Sequence, residues 1–245
     1  MSCFKLPKEV CAKITSAMIE FWWSSETNRR KIAWVSWQNL CKDKELEGLG
    51  FHDIEKFNQS LLAKQAWRIW SKPDSLIARI RKSKYFPRGD FLSSNLGRRP
   101  LYAWRSILHV RDLLSQGLIK EIGNIEDTRV WLENWILETT PRPPNYRQDA
   151  MVDLTLSIRD LFDRNTGGWN ERHIRQIIAE EDVDHVLRIK PNPTRVDSMK
   201  WGFSNNGIYN SKSGYKLLEN IQDHQAPVPN SMPPLEQSLE GKNIS

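Results

Sequence analysis

Four acidic side chains near residue 180 are of the type that metal-dependent chemistry requires. They are Glu180, Glu181, Asp182 and Asp184. Nucleases and polymerases that use two metal ions need carboxylates that converge on one point. Neighbouring residues at one helix end point in different directions, so we interpret this cluster as a solvated acidic face.

Histidine and cysteine are not spaced as metal ligands. No histidine lies two to four residues from a cysteine, which is a spacing common in zinc sites. Cys3, Cys11 and Cys41 are interpreted as small thiols, buried or half-buried. The sequence also has no Gly-x-Ser-x-Gly nucleophile elbow and no Gly-rich phosphate loop. We therefore predict no catalytic residue, no metal site, no cofactor and no small-molecule ligand.

Basic side chains are concentrated in one stretch, residues 64–111. This stretch contains twelve lysines and arginines but only two acidic residues, Asp74 and Asp90, in a chain of net charge +6. A concentrated positive field attracts polyanions, most commonly nucleic acid. The alternative is a solvated helix face without a partner. We predict non-specific binding of RNA or DNA, with phosphate contacts or base stacking by Lys64, Arg68, Arg79, Arg81, Lys82, Lys84, Tyr85, Arg88, Arg98, Arg99 and Arg105.

Two other classes of function remain open. The chain has 11 tryptophans, and a surface rich in tryptophan and arginine also suits a protein-interaction module. Binding to nucleic acid weakens steeply with salt, whereas binding through an apolar interface does not. The other possibility is that the chain is the product of a pseudogene and has no selected function.

The bulk composition indicates a folded, intracellular protein. Its 245 residues suffice for one large domain or two small ones. Three cysteines without paired spacing favour a reducing compartment, which could be the nucleus, the cytoplasm or the mitochondrion. No signal peptide and no membrane association are expected, because no long apolar run occurs. The oligomeric state is left open.

Apolar periodicity predicts two helices early in the chain. Pro7 suits the first position of a helix whose apolar face includes Val10 and Phe21. Residues 31–37 fit either a short strand or a helical turn. Asp53 is a predicted N-cap for a helix that ends at Lys72, before a proline.

Further helices are predicted within and after the basic stretch. Asp74 is expected to cap a helix that turns Leu76, Ile77 and Ile80 inward. Another helix is expected over residues 102–115, with Trp104 on its inward face and Gly117 as its C-cap.

The rest of the chain is expected to mix helices and hairpins. Residues 119–122 and 129–135 are expected to pair as a hairpin. Residues 152–162 are a predicted helix, and Asn170 and Ser211 are predicted N-caps of two more. Asn206-Gly207 is a strong signal for a tight turn.

These elements predict a mainly α fold with one or two β-hairpins, of the α+β class. We expect a helical, basic domain over residues 1–140 and a Pro-rich linker over 141–150. A small α+β segment over 151–221 and a disordered tail over 222–245 complete the expected organisation.

A series of short motifs resembles plant non-LTR (LINE-type) retroelement reverse transcriptases, in the region downstream of the polymerase palm. The motifs include Phe21-Trp22-Trp23, Gly48-Leu49-Gly50-Phe51, Leu61-Leu62-Ala63-Lys64-Gln65-Ala66-Trp67-Arg68, Lys84-Tyr85-Phe86-Pro87, Tyr102-Ala103-Trp104-Arg105 and Lys212-Ser213-Gly214-Tyr215. Together they extend to about Leu218. The N-terminal half also resembles open reading frames of plant mitochondrial genomes that derive from such elements.

The resemblance implies a nucleic-acid-handling segment without a polymerase site. Enzymes of this family bind two metals through palm carboxylates that include a Tyr-x-Asp-Asp-type motif. The sequence has no Asp-Asp pair. The resemblance therefore places the palm upstream of this region, and the zinc-binding and ribonuclease H parts downstream of it. Local departures from the family pattern, such as Glu47 where the family has glycine, are typical of a degenerating copy of such an element.

Overall fold

A computed structural model of the chain describes residues 1–24, 33–163, 166–192 and 194–225. About 47% of the described residues are helical and the described strands form two-stranded sheets, which confirms the mainly helical α+β class. The predicted tail from residue 226 onward lies outside the described residues, as do Lys31 and Ile32. Of the predicted tail, residues 222–225 are described, and they are helical.

The N-terminal helix begins as predicted but exposes much of its apolar face. Helix α1, Lys8–Trp23, follows Pro7, which is its N-cap rather than its first helical residue. Cys11 is its one buried residue, whereas Val10 and Phe21 are exposed. A short helix α2, Trp37–Cys41, and a 3₁₀ turn, Lys44–Leu46, follow.

The central helix is α3, Ile54–Ser71. Its start confirms the predicted cap, because the Asp53 carboxylate accepts a hydrogen bond from the Lys56 N–H at 2.9 Å. Leu62, Ala63 and Ala66 are fully buried along one side of α3. Helix α4, Leu76–Tyr85, packs against α3 and is capped by Ser75 rather than by Asp74.

The predicted helix over residues 102–115 is divided into two. Helix α5, Tyr102–His109, and helix α6, Arg111–Gly117, meet at Val110. In one straight helix Leu113 would point away from Trp104. The break allows both side chains to enter the same core.

Gly117 is not the predicted left-handed cap, since its φ is not positive. Its role is to leave room for a ring. A Cβ atom at Gly117 would lie only 2.0 Å from the indole of Trp201.

The predicted hairpin after α6 is wrong. Strand β1, Leu118–Glu121, pairs antiparallel with strand β6, Ser198–Trp201, so that Leu118 faces Trp201 and Glu121 faces Ser198. Residues 129–135 make one backbone hydrogen bond to β1, in which the Lys120 N–H donates to the Asn134 carbonyl at 2.7 Å. The prediction fails because β1 pairs with a segment far along the chain rather than with the nearest apolar run.

Two small hairpins lie between β1 and β6. Strand β2, Ile136–Leu137, pairs with β3, Pro141–Arg142, and β4, Phe162–Asp163, pairs with β5, Gly168–Trp169. The predicted helix over residues 152–162 is wrong. A 3₁₀ turn, Ile158–Leu161, is the helical part. Before it the Asp153 carboxylate accepts bonds from the Thr155 N–H and hydroxyl, which favour a turn.

Three helices complete the described chain. Helix α7, Glu171–Ile177, has the predicted Asn170 cap, which accepts from the His173 N–H at 3.1 Å. Helix α8, Glu180–Arg188, follows it. Helix α9, Ser211–Gln225, packs along α3. Its cap is Asn210 rather than the predicted Ser211, because the Asn210 side chain accepts a hydrogen bond from the Ser213 N–H at 2.9 Å. The Asn206-Gly207 turn is confirmed by the positive φ of Gly207 and by a 2.8 Å bond from the Trp201 N–H to its carbonyl.

The buried side chains form two separate clusters. The first core contains side chains of α3, α4, α5, α6 and α9 together with Leu118 of β1 and Trp201 of β6. The second core contains side chains from Ile122 to Ile189. These clusters divide the chain near residues 121 and 198, whereas the predicted linker covers 141–150, where β3 instead pairs with β2. The second unit is therefore inserted between two paired strands of the first.

Candidate nucleic-acid interface

Two of the predicted cations lie one helical turn apart on the exposed side of α3. Lys64 and Arg68 are both exposed, and Lys72 follows at the end of the helix in the same spacing. Residues four apart lie on the same helix face. The buried side of α3 fixes the orientation of this row, because Ala63 and Ala66 anchor it to the first core.

Helix α4 exposes three more of the predicted cations. Arg79, Lys82 and Lys84 are exposed, whereas Arg81 is half-buried and its Nε has no hydrogen-bond partner among the described residues. The helix is attached to the core mainly by Ala78, which is 2% exposed.

The predicted inward face of α4 is wrong, because its aliphatic side chains are exposed. Leu76, Ile77 and Ile80 are 73%, 47% and 52% exposed. The reason is that Ala78 and Tyr85 occupy the side of α4 that meets the core, with Leu76 and Ile80 on the opposite side and Ile77 between the two. Helix α4 therefore presents an aliphatic stripe, defined as Leu76, Ile77 and Ile80, beside its cations.

Tyr85 is packed on one side. Its ring stacks on Trp104 with centroids 4.4 Å apart and planes 4° apart. Its hydroxyl accepts a bond from the Leu101 N–H at 3.3 Å. Trp104 is fully buried, as predicted. One face of Tyr85 is thus occupied by the core, while the Lys84 ammonium lies 5.4 Å from the ring centroid.

The remaining predicted cations lie in the segment between α4 and α5 and on α5 itself. Arg88, Arg98, Arg99 and Arg105 are all exposed. Arg111 lies at the edge of this group, where its guanidinium donates to the Ser94 carbonyl at 2.5 Å. These arginines follow α4 in the chain, and both α4 and α5 pack on α3.

The ten predicted cations are electrostatically uncompensated. Within the described part of the chain none of them forms an ion pair with a carboxylate. Arginines of the second unit behave differently, since Arg147, Arg159 and Arg175 each contact an acidic side chain. The positive field of the first unit is therefore available to an external anion.

The acidic cluster near residue 180 is not uniformly solvated, which corrects the sequence-based interpretation. Asp182 is 1% exposed and accepts two hydrogen bonds from the Arg142 guanidinium, at 2.6 and 2.7 Å. The Asn145 N–H donates a third at 2.7 Å. Burial raises the pKa of Asp182, but the bonds from Arg142 and Asn145 outweigh it, and the pKa lies below its usual value. This carboxylate is committed to holding the fold together.

Cys11 is buried and Cys41 is half-buried, as predicted, whereas Cys3 is exposed, which corrects its predicted burial. Cys11 and Cys41 are unsuited to nucleophilic chemistry. Burial raises the pKa of the Cys11 thiol and, with the nearby carboxylate of Asp53, raises that of Cys41 to about 11. Both side chains are therefore protonated at neutral pH, and a thiol is a weak nucleophile. Among the residues that the structure describes, no group of three or more His, Cys, Asp or Glu side chains is placed to hold a metal ion. No helix in this part is long and apolar enough to cross a bilayer.

Sequence reasoning missed a cleft between the two cores. It has a volume of about 610 Å³ and lies against the β1–β6 sheet and the segment after α8. Lys190, Arg195, Trp135 and Ile189 are among its lining residues. No local pattern could have indicated it, because its walls come together only through the pairing of β1 with β6.

Comparison with known proteins finds relatives in Arabidopsis thaliana. Over 145 residues the chain is 56% identical to the "Uncharacterized mitochondrial protein AtMg00310", a match that covers 59% of this chain and 94% of that protein. Over 237 residues it is 24% identical to the "Putative ribonuclease H protein At1g65750". That match covers 89% of this chain and 36% of the relative, so the chain spans about a third of that protein's length.

No protein-family model matches the sequence, and no solved structure matches the chain. The match at 56% identity extends over nearly the whole of the mitochondrial relative. The chain therefore belongs to the same family as the Arabidopsis thaliana mitochondrial protein AtMg00310.

Proposed function

We propose that this chain is a retroelement-derived segment, similar to a reverse transcriptase but non-catalytic, that binds RNA or DNA without sequence preference. The observation that carries the proposal is the set of exposed cations on α3, α4 and the segment that follows, none of which has an acidic partner within the described residues. Unpaired cations on packed helices favour contacts with phosphates, and phosphate contacts carry little sequence information.

The retroelement origin is supported by two independent considerations. The motifs described above resemble the region downstream of the palm in plant LINE-type reverse transcriptases. One relative is named as a ribonuclease H protein, and ribonuclease H is an activity that such elements encode. We do not propose ribonuclease H activity for this chain, because the match covers 36% of that relative's length.

The proposed lack of catalysis is supported by the chemistry of the acidic side chains. The sequence has no Asp-Asp pair, and Asp182 is neutralised by Arg142. A purified chain is expected to show no metal-dependent incorporation of nucleotides and no cleavage of RNA. Either activity, if it is lost on addition of a chelator, would overturn this part of the proposal.

The binding proposal is tested by fluorescence anisotropy with a labelled single-stranded RNA across a salt series. If about six cations contact phosphates, the logarithm of the binding constant should fall with the logarithm of salt concentration with a slope of about −4 to −5. The test variant changes Arg79, Lys82 and Lys84 to Glu, all exposed positions. Arg81 is left unchanged because its side chain is half-buried. We expect the variant to bind more weakly and with a shallower slope.

A matched control separates the local effect from total charge. Changing Lys13, Arg172 and Lys212 to Glu alters the net charge by the same amount as the test variant, at exposed positions outside the basic stretch. The control is expected to bind nearly as well as the native chain. If both triple variants lose the same affinity, or if the folded native chain does not bind at low salt, the basic stretch is not the binding site.

A second candidate function is docking of a protein partner. The aliphatic stripe of α4 favours it, as do Phe21 and Trp34, which are 82% and 79% exposed. Exposed apolar side chains in contiguous patches mark interaction surfaces. Such binding should be insensitive to salt and should be lost when Leu76 and Ile80 are changed to Ser, whereas nucleic-acid binding should survive that change.

The mitochondrion is the compartment that the comparisons favour. AtMg00310 is named as a mitochondrial protein, and the nucleus and cytoplasm have no comparable support. Detection of the endogenous chain in purified mitochondria, protected from external protease, is the expected result. Its exclusive recovery in another fraction would contradict this assignment.

A further inference from the structure

The cleft between the two cores has the size and lining of a small-molecule site. Its volume of about 610 Å³ falls within the usual range for such sites, roughly 300–1,000 Å³. Its walls come from β1, β2, β6 and the segment after α8. We propose that this cleft binds a nucleotide, either free or as one unit of a strand. The proposal rests on residues other than the cations of α3 and α4.

The charge of the cleft favours an anionic ligand. Four cationic residues line it, Lys120, Lys190, Arg195 and Lys200, against one acidic residue, Glu121. Lys200 pairs with Glu121 at 2.8 Å, and Lys120 pairs with Glu133 at 2.9 Å. Lys190 and Arg195 are exposed and form no ion pair within the described residues. These two are therefore the groups that can bind a phosphate.

The rest of the lining favours an attached apolar or planar body. The side chains of Leu137 and Ile189, exposed and half-buried, line the same cleft as the cations, whereas Ile122, Trp135 and Ile136, also lining residues, are already buried in the second core. Val196, also in the lining, is 67% exposed. A phosphate alone would leave this apolar wall in water, whereas a nucleotide would cover it with its base.

The rim of the cleft is held in place by one carboxylate. Asp197 accepts bonds from the Gly123 N–H at 2.7 Å and from the Ile125 N–H at 3.2 Å. It also accepts from the Thr128 hydroxyl at 2.5 Å. A Cβ atom at Gly123 would lie 2.2 Å from the Arg195 carbonyl oxygen, so the backbone carrying Arg195 is packed tightly against it. The backbone that carries Arg195 is thereby held in place before a ligand arrives, which lowers the cost of binding.

The test measures binding of AMP, adenosine and inorganic phosphate by isothermal titration calorimetry, and of a short labelled oligoadenylate by anisotropy. The cleft variant changes Lys190 and Arg195 to Glu, both exposed positions that should leave folding intact. The control changes Arg172 and Lys212 to Glu, which alters charge equally away from the cleft. Thermal unfolding of each variant verifies that it is folded.

We expect AMP to bind the native chain more tightly than adenosine or phosphate, and the cleft variant to weaken AMP about tenfold or more while the control does not. If AMP does not bind but the cleft variant weakens oligoadenylate beyond the control, the nucleotide is a unit of a strand. Equal behaviour of the cleft variant and the control with both probes would overturn the proposal. Phosphate binding as tight as AMP binding would also overturn it, since the base would then contribute nothing. The triple variant of α4 tests the proposed polyanion surface separately, because it leaves the cleft intact.

Discussion

At the scale of single residues, the ion pair between Arg142 and Asp182 connects two elements of the second unit. It joins β3 to α8 through two hydrogen bonds to a carboxylate that is 1% exposed. The Arg142 guanidinium also contacts Glu138 at 2.9 Å, on the exposed side. Removing Asp182 would leave the half-buried Arg142 guanidinium with the exposed Glu138 as its remaining acidic partner, so the cost exceeds the net strength of the pair.

Changing Asp182 to Asn tests this contact. We expect a loss of about 3 kcal/mol in the free energy of unfolding, because the Arg142 charge would lose its buried partner. Changing Glu138 to Gln is the control, and it should cost less than about 1 kcal/mol because that carboxylate is 55% exposed. The measurement is urea unfolding followed by tryptophan fluorescence. Equal effects of the two changes would contradict the assignment.

The Asp182 carboxylate should make the free energy of unfolding depend on pH. The pKa of folded Asp182 lies below its usual value, which is about 3.9 in an unfolded chain. A depressed pKa contributes stability that is present above the unfolded value and is lost as the pH falls through the folded value. We expect the native chain to lose stability below about pH 4. The Asp182→Asn variant should lose less over the same range, and parallel curves would refute this account.

At the scale of elements, the first core depends on the close approach of α6, β6 and α9. The Trp201 ring lies against Gly117 at the end of α6, and its Nε1 donates to the Ser213 hydroxyl of α9 at 2.9 Å. The Tyr209 hydroxyl donates to the Ser60 carbonyl of α3, also at 2.9 Å. Trp201 is fully buried. These contacts explain why a segment from the end of the chain completes a core that begins at residue 62.

Changing Gly117 to Ala should therefore be destabilising. Alanine usually favours a helix over glycine by roughly 0.5–1 kcal/mol. Here the added methyl group would collide with the Trp201 ring, and overpacking costs about 1–3 kcal/mol. Changing Gly89 to Ala is the control, since its nearest neighbour would be the Ser93 hydroxyl at an ordinary 3.5 Å. Thermal melts should show a lower Tm for Gly117→Ala and little change for Gly89→Ala. A Gly117→Ala variant as stable as native would contradict the packing.

At the scale of the whole molecule, the second unit is an insertion into the first. All residues of the second core lie between Glu121 and Ser198, which are paired neighbours at the end of the β1–β6 sheet. Among the described residues of this interval, none belongs to the first core. The two ends of the insertion are therefore close in space, which is the arrangement that makes the removal of a domain tolerable.

We expect a chain in which an Asn-Gly turn replaces residues 122–197 to fold. Antiparallel strands can be joined by such a two-residue turn, and every buried residue of the first core would remain. The shortened chain should unfold in one cooperative thermal transition and retain RNA binding, because all of the predicted cations lie outside the insertion. It should lose AMP binding, since Lys190 and Arg195 are removed. Non-cooperative melting would show that the two units depend on each other.

Much of the local structure was determined by the sequence itself. Asp53 and Asn170 cap helices as predicted, and Gly207 makes the predicted turn. Capping and turn formation involve atoms only a few residues apart, so their signals are contained in short stretches of sequence. The concentration of positive charge over residues 64–111 is likewise a property of the sequence, and the exposure of its cations agrees with it.

Only the tertiary structure decided how distant segments meet. Strand β1 pairs with residues far along the chain, Asp182 is buried against Arg142, and Lys190 faces a cleft whose other wall is β1. Helix α4 likewise turns Leu76 outward, because a small residue, Ala78, makes its contact with the core. Strand pairing and burial depend on which surfaces fit together across long sequence separations, and a single sequence carries no local signal for that choice.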